Sequence, residues 1–454
     1  MSIQQQSQTM AELSNGMSSP VILAENPFSD RYALDTSPRH ESVFAIGDGE
    51  EDEEPAAPPA SEHAQVPNPT LQRQAIQLML DLFPGHTATD IKVTQMHSNP
   101  HNLTIHINLF PPSPPAPWYT LTTLISCLPI HHHRRLTRPT RYTLRIPSTT
   151  TPSTALTYEV TTLTYLSHAF PQPVPKVTVY DSSTSNALST PYILYERLPG
   201  SSLRAIWGTL NAAQRQSAAR GVASLFCDLQ KLRNKCAGVV SPRNTVFDFK
   251  QDVVRLEKVP LSRSRSSAAM GGALPSLADA MSTRELLHDL VKRQRNNTET
   301  PGAEVVWTRV EAMIEALSER GVIPDSEPFF LQRSRLDADH ILVSVVDDAN
   351  VKITGVLSWG DVLFGPKFLG AQVPQFLLSG GGGEIWKAYG EELVGVLAAF
   401  EGGMGEEWCK MAYRTETVLA WKLWAVLLKG LVGGCDVFAA EEMLDEFENL
   451  GMRA

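Results

Sequence analysis

The sequence has 454 residues, which allows two to four folding units at the usual size of about 100–200 residues per domain. Acidic residues outnumber basic ones by 49 to 39, and a formal net charge of −10 argues against binding nucleic acids or anionic membranes through bulk charge. Hydrophobic residues make up 42% and charged residues 19%, which is typical of a globular chain.

The cysteines and the apolar segments point to a reducing compartment. The five cysteines are odd in number and contain no Cys-x-x-Cys pair, so neither a disulfide framework nor a zinc site is predicted. The polar N-terminus lacks the basic start and apolar stretch of a secretory signal. The apolar run 418–432 contains Lys422 and Lys429 and is predicted to be a buried helix, not a membrane span. A cytoplasmic protein is expected.

Residues 1–68 are predicted to form a disordered tail. They are rich in Ser, Gln, Pro and Ala, and an acidic run extends from Asp48 to Glu54. A segment of this composition cannot bury enough apolar area to order itself.

Residues 69–198 are predicted to form a β-rich lobe. Apolar residues recur at helical spacing from Leu71 to Leu82, and Pro84-Gly85 ends the pattern. A second helix is predicted over 155–166, where Glu159 lies near the start. Strand patterns occur at 91–96, 103–109, 142–146, 176–180 and 191–196. The expected order is therefore β-β-β-α-β-β.

Residues 199–454 are predicted to form a larger helical lobe. Apolar stripes predict helices at 218–232, 281–293, 304–320 and several between 385 and 450. Two β-runs, 341–346 and 351–357, flank the turn-forming residues 347–350 and predict a hairpin. The Ser/Arg/Gly-rich segment 262–277 is predicted to be an exposed loop. The expected fold class is α+β in two lobes.

Four strings, taken in this order, resemble the aminoglycoside phosphotransferase family and its fungal branch in particular. They are YTLRIP, TALTYEVTTLTYL, PVPKVTVYDSSTSNALSTPYILYERLPGSSLRAIW and ITGVLSWGD. The resemblance covers roughly residues 91–430. It implies a protein-kinase-like fold, with a small mixed sheet lobe and a larger helical lobe, and it implies ATP and Mg²⁺ as cofactors of phosphoryl transfer.

On the nucleotide side, the resemblance assigns roles to five residues. Arg145 stands where kinases carry a phosphate-contacting Lys, and Glu159 is placed to pair with it. Tyr195, Glu196 and Leu198 belong to the hinge string, whose backbone groups would meet an adenine edge. The alternative is that Arg145 is an ordinary strand-end charge and Glu159 a solvated helix residue.

At the catalytic positions, the resemblance implies that this sequence has replaced the residues that the family uses. The family pattern His-x-Asp-Leu-x-x-x-Asn corresponds to residues 333–340, with Leu336 fixing the register. Arg335 replaces the hydroxyl-orienting Asp, and a guanidinium with a pKa above about 12 cannot accept a proton. His340 replaces the metal-binding Asn, and Ser358 replaces the metal-binding Asp.

Three acids lie near these positions in the sequence. Asp337 and Asp339 are weak substitutes for the catalytic Asp, and Asp361 is a weak candidate metal ligand because some family members carry a second acid there. We interpret all three as exposed loop acids, since moving a carboxylate by ~1 Å can reduce a rate on the order of 10²-fold.

The predicted function is therefore that of a catalytically inactive, pseudokinase-like binding or regulatory protein. Its expected partner is a nucleotide or another protein. The alternative is an active ATP-dependent phosphotransferase that acts on small-molecule hydroxyl acceptors through the displaced carboxylates. A third hypothesis is that the acidic tail docks to a basic partner.

Three tryptophans in the helical lobe, Trp408, Trp421 and Trp424, could line an acceptor pocket. Their neighbours are mostly Leu and Val. Core packing is the prediction for all three.

Overall fold

The computed structural model describes residues 69–98, 102–112, 138–148, 153–243, 254–261, 276–297, 300–324, 326–333, 336–379 and 390–451. All of them belong to one unit, residues 62–454. The predicted tail, most of the predicted 262–277 loop and Arg335 lie outside the described residues. The proposed domain boundaries stay predictions.

The first lobe is a five-stranded antiparallel sheet with one helix on each face. Its elements are α1 (Pro69–Leu82), β1 (Ile91–Ser98), β2 (Asn102–Leu109), β3 (Thr140–Pro147), α2 (Ser153–Ala169), β4 (Val177–Asp181) and β5 (Tyr192–Glu196). The strand order is β1-β2-β3-β5-β4, and all four pairings are antiparallel. The predicted β-β-β-α-β-β order is confirmed.

Alternation along the strands decides which side chains meet which helix. Leu144 of β3 and Leu194 of β5 are fully buried in a core shared with Met79 of α1. Ile193 of β5 faces the other way and packs against α2. Since successive side chains of a strand point to opposite faces, Arg145 of β3, paired in register with Ile193, lies on the α2 face.

The second lobe is mainly helical. Its helices are α3 (Leu203–Trp207), α4 (Ala212–Leu229), α5 (Thr283–Arg295), α6 (Ala303–Glu319), α7 (Gln375–Ser379), α8 (Gly390–Met404), α9 (Glu406–Ala412), α10 (Thr415–Lys429) and α11 (Gly434–Asn449). Trp307, Phe329 and Phe400 are among the largest side chains of its core. The predicted α+β, two-lobed, protein-kinase-like fold is confirmed.

Two of these helices begin at capping boxes that the sequence encodes. Before α4, the Asn211 side chain accepts a hydrogen bond from the Gln214 N–H (2.9 Å), and Gln214 Oε1 accepts one from the Asn211 N–H (3.0 Å). Ser282 and Glu285 make the same exchange before α5. These bonds satisfy helix N–H groups that have no partner within the helix.

Short strands within the helical lobe form three small sheets. They are β6 (Ser201–Ser202), β7 (Arg233–Asn234), β8 (Val239–Val240), β9 (Leu256–Glu257), β10 (Phe329–Arg333), β11 (Ile341–Val345), β12 (Val351–Val356) and β13 (Val362–Gly365). The orders are β12-β11-β6, β13-β10-β7 and β8-β9. The predicted hairpin is the β11–β12 pair, whereas β10 and β13 were not predicted from the sequence.

The tryptophans pack in the core, as predicted. Trp408 and Trp424 are buried, and the Trp408 indole N–H donates to the carbonyl of Gly370 at 2.9 Å. Trp421 is partly buried and donates its N–H to the carbonyl of Phe368. In the part of the chain that the structure describes, every helix is too short or too polar to cross a bilayer.

Candidate functional site

Arg145 and Glu159 form a buried ion pair between the sheet and α2. Arg145 Nη2 donates to Glu159 Oε2, and the two side chains are only 14% and 10% exposed. The two residues pair as the sequence analysis expected. They are therefore not the exposed charges of the alternative interpretation. Their role in nucleotide binding stays a prediction.

The environment of this pair favours its charged form. Burial acts to lower the pKa of Arg145, but the charge of Glu159 and the hydrogen bond to it outweigh burial, and the pKa is raised. Burial also raises the pKa of nearby Tyr195 to about 12, so that the phenol is neutral at physiological pH. Arg145 Nε is buried and has no hydrogen-bond partner among the described residues. This N–H group is therefore shielded from solvent as well as unpaired.

The hinge after β5 makes one more backbone hydrogen bond to strand β3. Glu196 is exposed and pairs in register with Tyr142, and the Arg197 N–H donates to the carbonyl of Arg141 at 2.8 Å. Leu198 turns towards the second lobe, where a Cβ placed on Gly355 would lie only 2.5 Å from Leu198 Cδ1. Leu198 therefore packs directly on the backbone of β12.

Pro199 and Gly200 fasten the hinge to the β11–β12 hairpin. Thr354 Oγ1 donates to the Pro199 carbonyl at 2.6 Å. Gly200 has φ of +103°, and a Cβ there would lie 2.3 Å from Thr354 Oγ1 and 2.7 Å from the Val343 carbonyl oxygen. Only glycine fits this conformation and this close approach.

In the second lobe, His340 lies in a short 3₁₀ turn, Ala338–His340, immediately before β11. Its Nδ1 is buried and has no hydrogen-bond partner among the described residues. Burial lowers the pKa of His340, the positive charge of Arg333 lowers it further, and the ring is neutral at pH 7. Its carbonyl accepts from the Leu357 N–H at 2.7 Å, which holds this turn beside the end of β12.

The three acids of this region differ in availability. Asp339 forms an exposed ion pair with Arg204 Nε of α3. Asp337 and Asp361 are also exposed, and neither side chain makes a hydrogen bond or ion pair with a described residue. The expectation that all three are exposed loop acids agrees with this arrangement.

Arg333 interacts electrostatically with two of these acids, Asp337 and Asp361, and with Glu159 of the ion pair. Its guanidinium carbon is 5.2 Å from the centroid of the Trp359 ring, within the range of a cation–π contact. Burial lowers the pKa of Arg333 to about 10, against the opposing charges of Asp361, Asp337 and Glu159. Sequence reasoning gave Arg333 no role. Its contact with Trp359 joins two distant parts of the sequence, so no local pattern signalled it.

Ser358 occupies a strained backbone position at the end of β12. Its φ is +61°, in the left-handed region that few non-glycine residues adopt, and its side chain is exposed. The next residue, Trp359, is fully buried and donates its indole N–H to the Val356 carbonyl at 2.8 Å. A Cβ on Gly360 would lie 3.7 Å from Glu159 Oε2, so this loop adjoins the ion pair.

These groups form one cluster, which we call the interlobe site: Arg145, Glu159, Arg333, His340, Ser358 and Asp361. Its second-lobe wall consists of Arg333, His340, Ser358 and Asp361. At the two family metal positions this wall offers an imidazole and a neutral hydroxyl, which do not fit a hard cation, and the carboxylate of the group, Asp361, is exposed. Within the described ranges, no group of three or more His, Cys, Asp or Glu side chains could hold a metal ion.

A model of the phosphotransferase enzyme family (APH) matches residues 132–366, just over half of the chain. The chain belongs to this family. The matched segment runs from just before β3 to the end of β13 and contains every residue of the interlobe site. Comparison with curated proteins finds none that matches.

Solved structures of phosphotransferases resemble this chain at low identity. The GDP complex of aminoglycoside 2'-phosphotransferase-IIIa is 13% identical, with 84% of this chain and 99% of that chain covered and a TM-score of 0.39. Macrolide 2'-phosphotransferase from Brachybacterium faecium is 16% identical, covering 82% and 97%, with a TM-score of 0.38. The aminoglycoside phosphotransferase (4)-Ia complex with AMP-PNP and hygromycin B is 13% identical, covering 83% and 98%, with a TM-score of 0.43. Values this low carry no information about ligand or substrate.

Proposed function

We propose that this phosphotransferase-family protein has lost phosphoryl transfer and acts by binding a nucleotide or a protein partner. The observation that carries the proposal is Ser358. It stands where the family resemblance puts a metal-binding Asp, in a left-handed backbone conformation, and it presents a neutral hydroxyl. Such a hydroxyl is a poor ligand for Mg²⁺.

Two neighbouring groups, His340 and Asp339, do not compensate for Ser358. His340 offers a neutral nitrogen, and Mg²⁺ prefers oxygen ligands. Asp339 is occupied by Arg204. Phosphoryl transfer depends on positioning and charge stabilisation by metal ions and a hydroxyl-orienting carboxylate, so these replacements remove the means of catalysis.

The sheet-lobe wall supports retained nucleotide binding. Arg145 is held by Glu159, and its guanidinium places a positive charge beside the loop after β12, where it would attract a phosphate group. The hinge from Tyr195 to Leu198 would supply backbone groups to a base. We propose ATP or ADP as the ligand, bound without Mg²⁺.

Turnover and binding measurements on the full chain test this proposal. We expect no labelled product from ATP and Mg²⁺ across a panel of small alcohols and amino sugars. We expect ADP to raise the melting temperature equally with Mg²⁺ and with EDTA, following RT ln(1 + [L]/Kd). Mg²⁺-dependent product that disappears in Asp337→Asn or Asp361→Asn would overturn the proposal.

The rival function is an active small-molecule kinase that uses displaced carboxylates. Asp337 and Asp361 favour this function. Both are exposed and unpaired by any described residue. Both are also close enough to raise the pKa of Arg333. This function requires nucleotide binding to depend on Mg²⁺, and the EDTA arm separates it from the first.

The remaining parts of the proposal concern the setting of the protein. We propose a cytoplasmic member of the fungal branch that binds neither nucleic acid nor membranes. Four cysteines in the described residues are free thiols, which supports a reducing compartment. If a basic protein is the partner, the acidic run Asp48–Glu54 is the candidate contact, and unchanged partner recovery after deletion of residues 1–68 would exclude it.

A further inference from the structure

Tyr158 and Glu159 are adjacent in α2, but their side chains contact different lobes. Neighbouring residues of a helix point about 100° apart. Glu159 pairs with Arg145 of β3, whereas the Tyr158 hydroxyl donates a hydrogen bond to Glu257 Oε2 in β9. One turn of α2 thus joins the sheet lobe to the helical lobe.

Glu257 is a buried carboxylate, and its bonds fix it in place. It is 2% exposed, and its Oε1 accepts from Ser241 Oγ at 2.8 Å. Arg243 Nε lies 3.5 Å from the same oxygen and balances the charge. The Tyr158 hydroxyl therefore donates to the second carboxylate oxygen of Glu257. Loss of this donor leaves a buried carboxylate oxygen without a hydrogen bond, which destabilises the protein.

The other strong anchors of α2 lie in its C-terminal half. Leu163 and Leu166 are buried in the helical-lobe core, and just beyond the helix Gln172 donates to Asp228 at 2.6 Å. In the N-terminal half, Leu156 and Val160 form a small cluster with Ile193 of the sheet. The Tyr158 hydroxyl adds a polar contact from this half to the helical lobe.

We propose that Tyr158 and Glu257 are positioning residues that hold Glu159 against Arg145 and so prepare the interlobe site for an anionic ligand. Without the Tyr158 hydroxyl, the N-terminal half of α2 moves more freely, and the Arg145–Glu159 pair opens more often. Arg145 must then be ordered again when a phosphate binds, which weakens binding. The ligand part of this inference rests on the proposed function, whereas the effect on the ion pair does not.

Hydrogen exchange on the unliganded full chain tests the positioning directly. In Tyr158→Phe we expect amides of residues 157–160 to exchange about tenfold faster, because a hydrogen bond to a charged group has been lost. Amides of residues 163–169 should be unchanged. Tyr180→Phe, at an exposed position on β4, is the matched control and should leave both segments unchanged. Equal exchange at 157–160 in Tyr158→Phe and the native chain would overturn the inference.

Affinity for ADP in EDTA separates positioning from a general structural effect. We expect Tyr158→Phe and Glu257→Gln each to weaken ADP binding several-fold in the native background. In an Arg145→Gln background, Tyr158→Phe should weaken it no further, because the residue being positioned is absent. Equal weakening in both backgrounds would refute the positioning role. If the native chain does not bind ADP, the proposed ligand is wrong, and the exchange experiment alone decides the positioning.

Discussion

The two walls of the interlobe site differ in how their charges are paired. On the sheet-lobe wall, Arg145 is buried and bonded to Glu159. On the second-lobe wall, Arg333 is buried against Trp359, its Nη1 has no partner among the described residues, and the nearby acids Asp337 and Asp361 are exposed. One wall carries a bonded ion pair, whereas on the other no described carboxylate bonds to the cation.

The backbone and the side chains of the second-lobe wall differ in how closely they follow the family pattern. The backbone of the second-lobe wall is well fixed, since Trp359 anchors the loop after β12 and His340 bonds to Leu357. At the family positions its residues are nevertheless Arg335, His340 and Ser358, none of which carries a carboxylate. The family framework is therefore present with different side chains at these positions, and nucleotide binding and phosphoryl transfer can be tested separately on the two walls.

The largest expected effect is on the bonded ion pair. Arg145→Ala leaves Glu159 buried without its partner, and removal of one partner of a buried pair destabilises a protein by about 3–5 kcal/mol. Chemical denaturation should show this loss in the free energy of unfolding. The matched variant Arg204→Ala breaks the exposed pair with Asp339 and should lose only about 0–1 kcal/mol. Similar losses in the two variants would contradict the contrast between a buried and an exposed pair.

A second effect concerns the hinge that joins the walls. Gly200→Ala introduces a Cβ at 2.3 Å from Thr354 Oγ1 into a left-handed backbone, which we expect to destabilise the protein by about 2–4 kcal/mol. Gly208 has φ of −63° and nothing within 4 Å of an added Cβ. Gly208→Ala should therefore change the free energy of unfolding by less than about 0.5 kcal/mol. A hinge that tolerated both alanines would not be clamped to the hairpin.

Sequence patterns predicted the elements whose signals are local. The strand and helix carrying Arg145 and Glu159 show clear periodicity, and sheet alternation brings the two residues together. Strand β10 was missed because its first four residues, FFLQ, are all buried and show no alternation. The contacts of Arg333 with Trp359 and of Tyr158 with Glu257 join residues far apart in the chain, and no local spacing announces them.

A carboxylate at position 358 should give the second-lobe wall an anionic ligand for Mg²⁺. Asp and Asn both adopt left-handed backbone conformations more readily than Ser, so Ser358→Asp and Ser358→Asn should fold alike. Only Ser358→Asp adds a carboxylate for Mg²⁺. If the carboxylate makes ATP bind about tenfold more tightly with Mg²⁺ than with EDTA, then at ten times the Kd measured with Mg²⁺ the stabilisation should be roughly 1 kcal/mol larger than with EDTA. Equal ATP-induced shifts of the melting temperature in the two variants, with and without Mg²⁺, would refute this expectation.

The smallest effect is the pH dependence that His340 contributes. Burial, aided by the charge of Arg333, lowers the pKa of His340 in the folded protein, whereas an unfolded histidine titrates near its ordinary value of about 6.5. As the pH falls below that value, the unfolded chain therefore takes up the proton first, and the free energy of unfolding decreases. His340→Asn should show a shallower decrease between neutral and mildly acidic pH in denaturant titrations. An unchanged slope in His340→Asn would mean that this imidazole is solvated and that the second-lobe wall is more open than the structure shows.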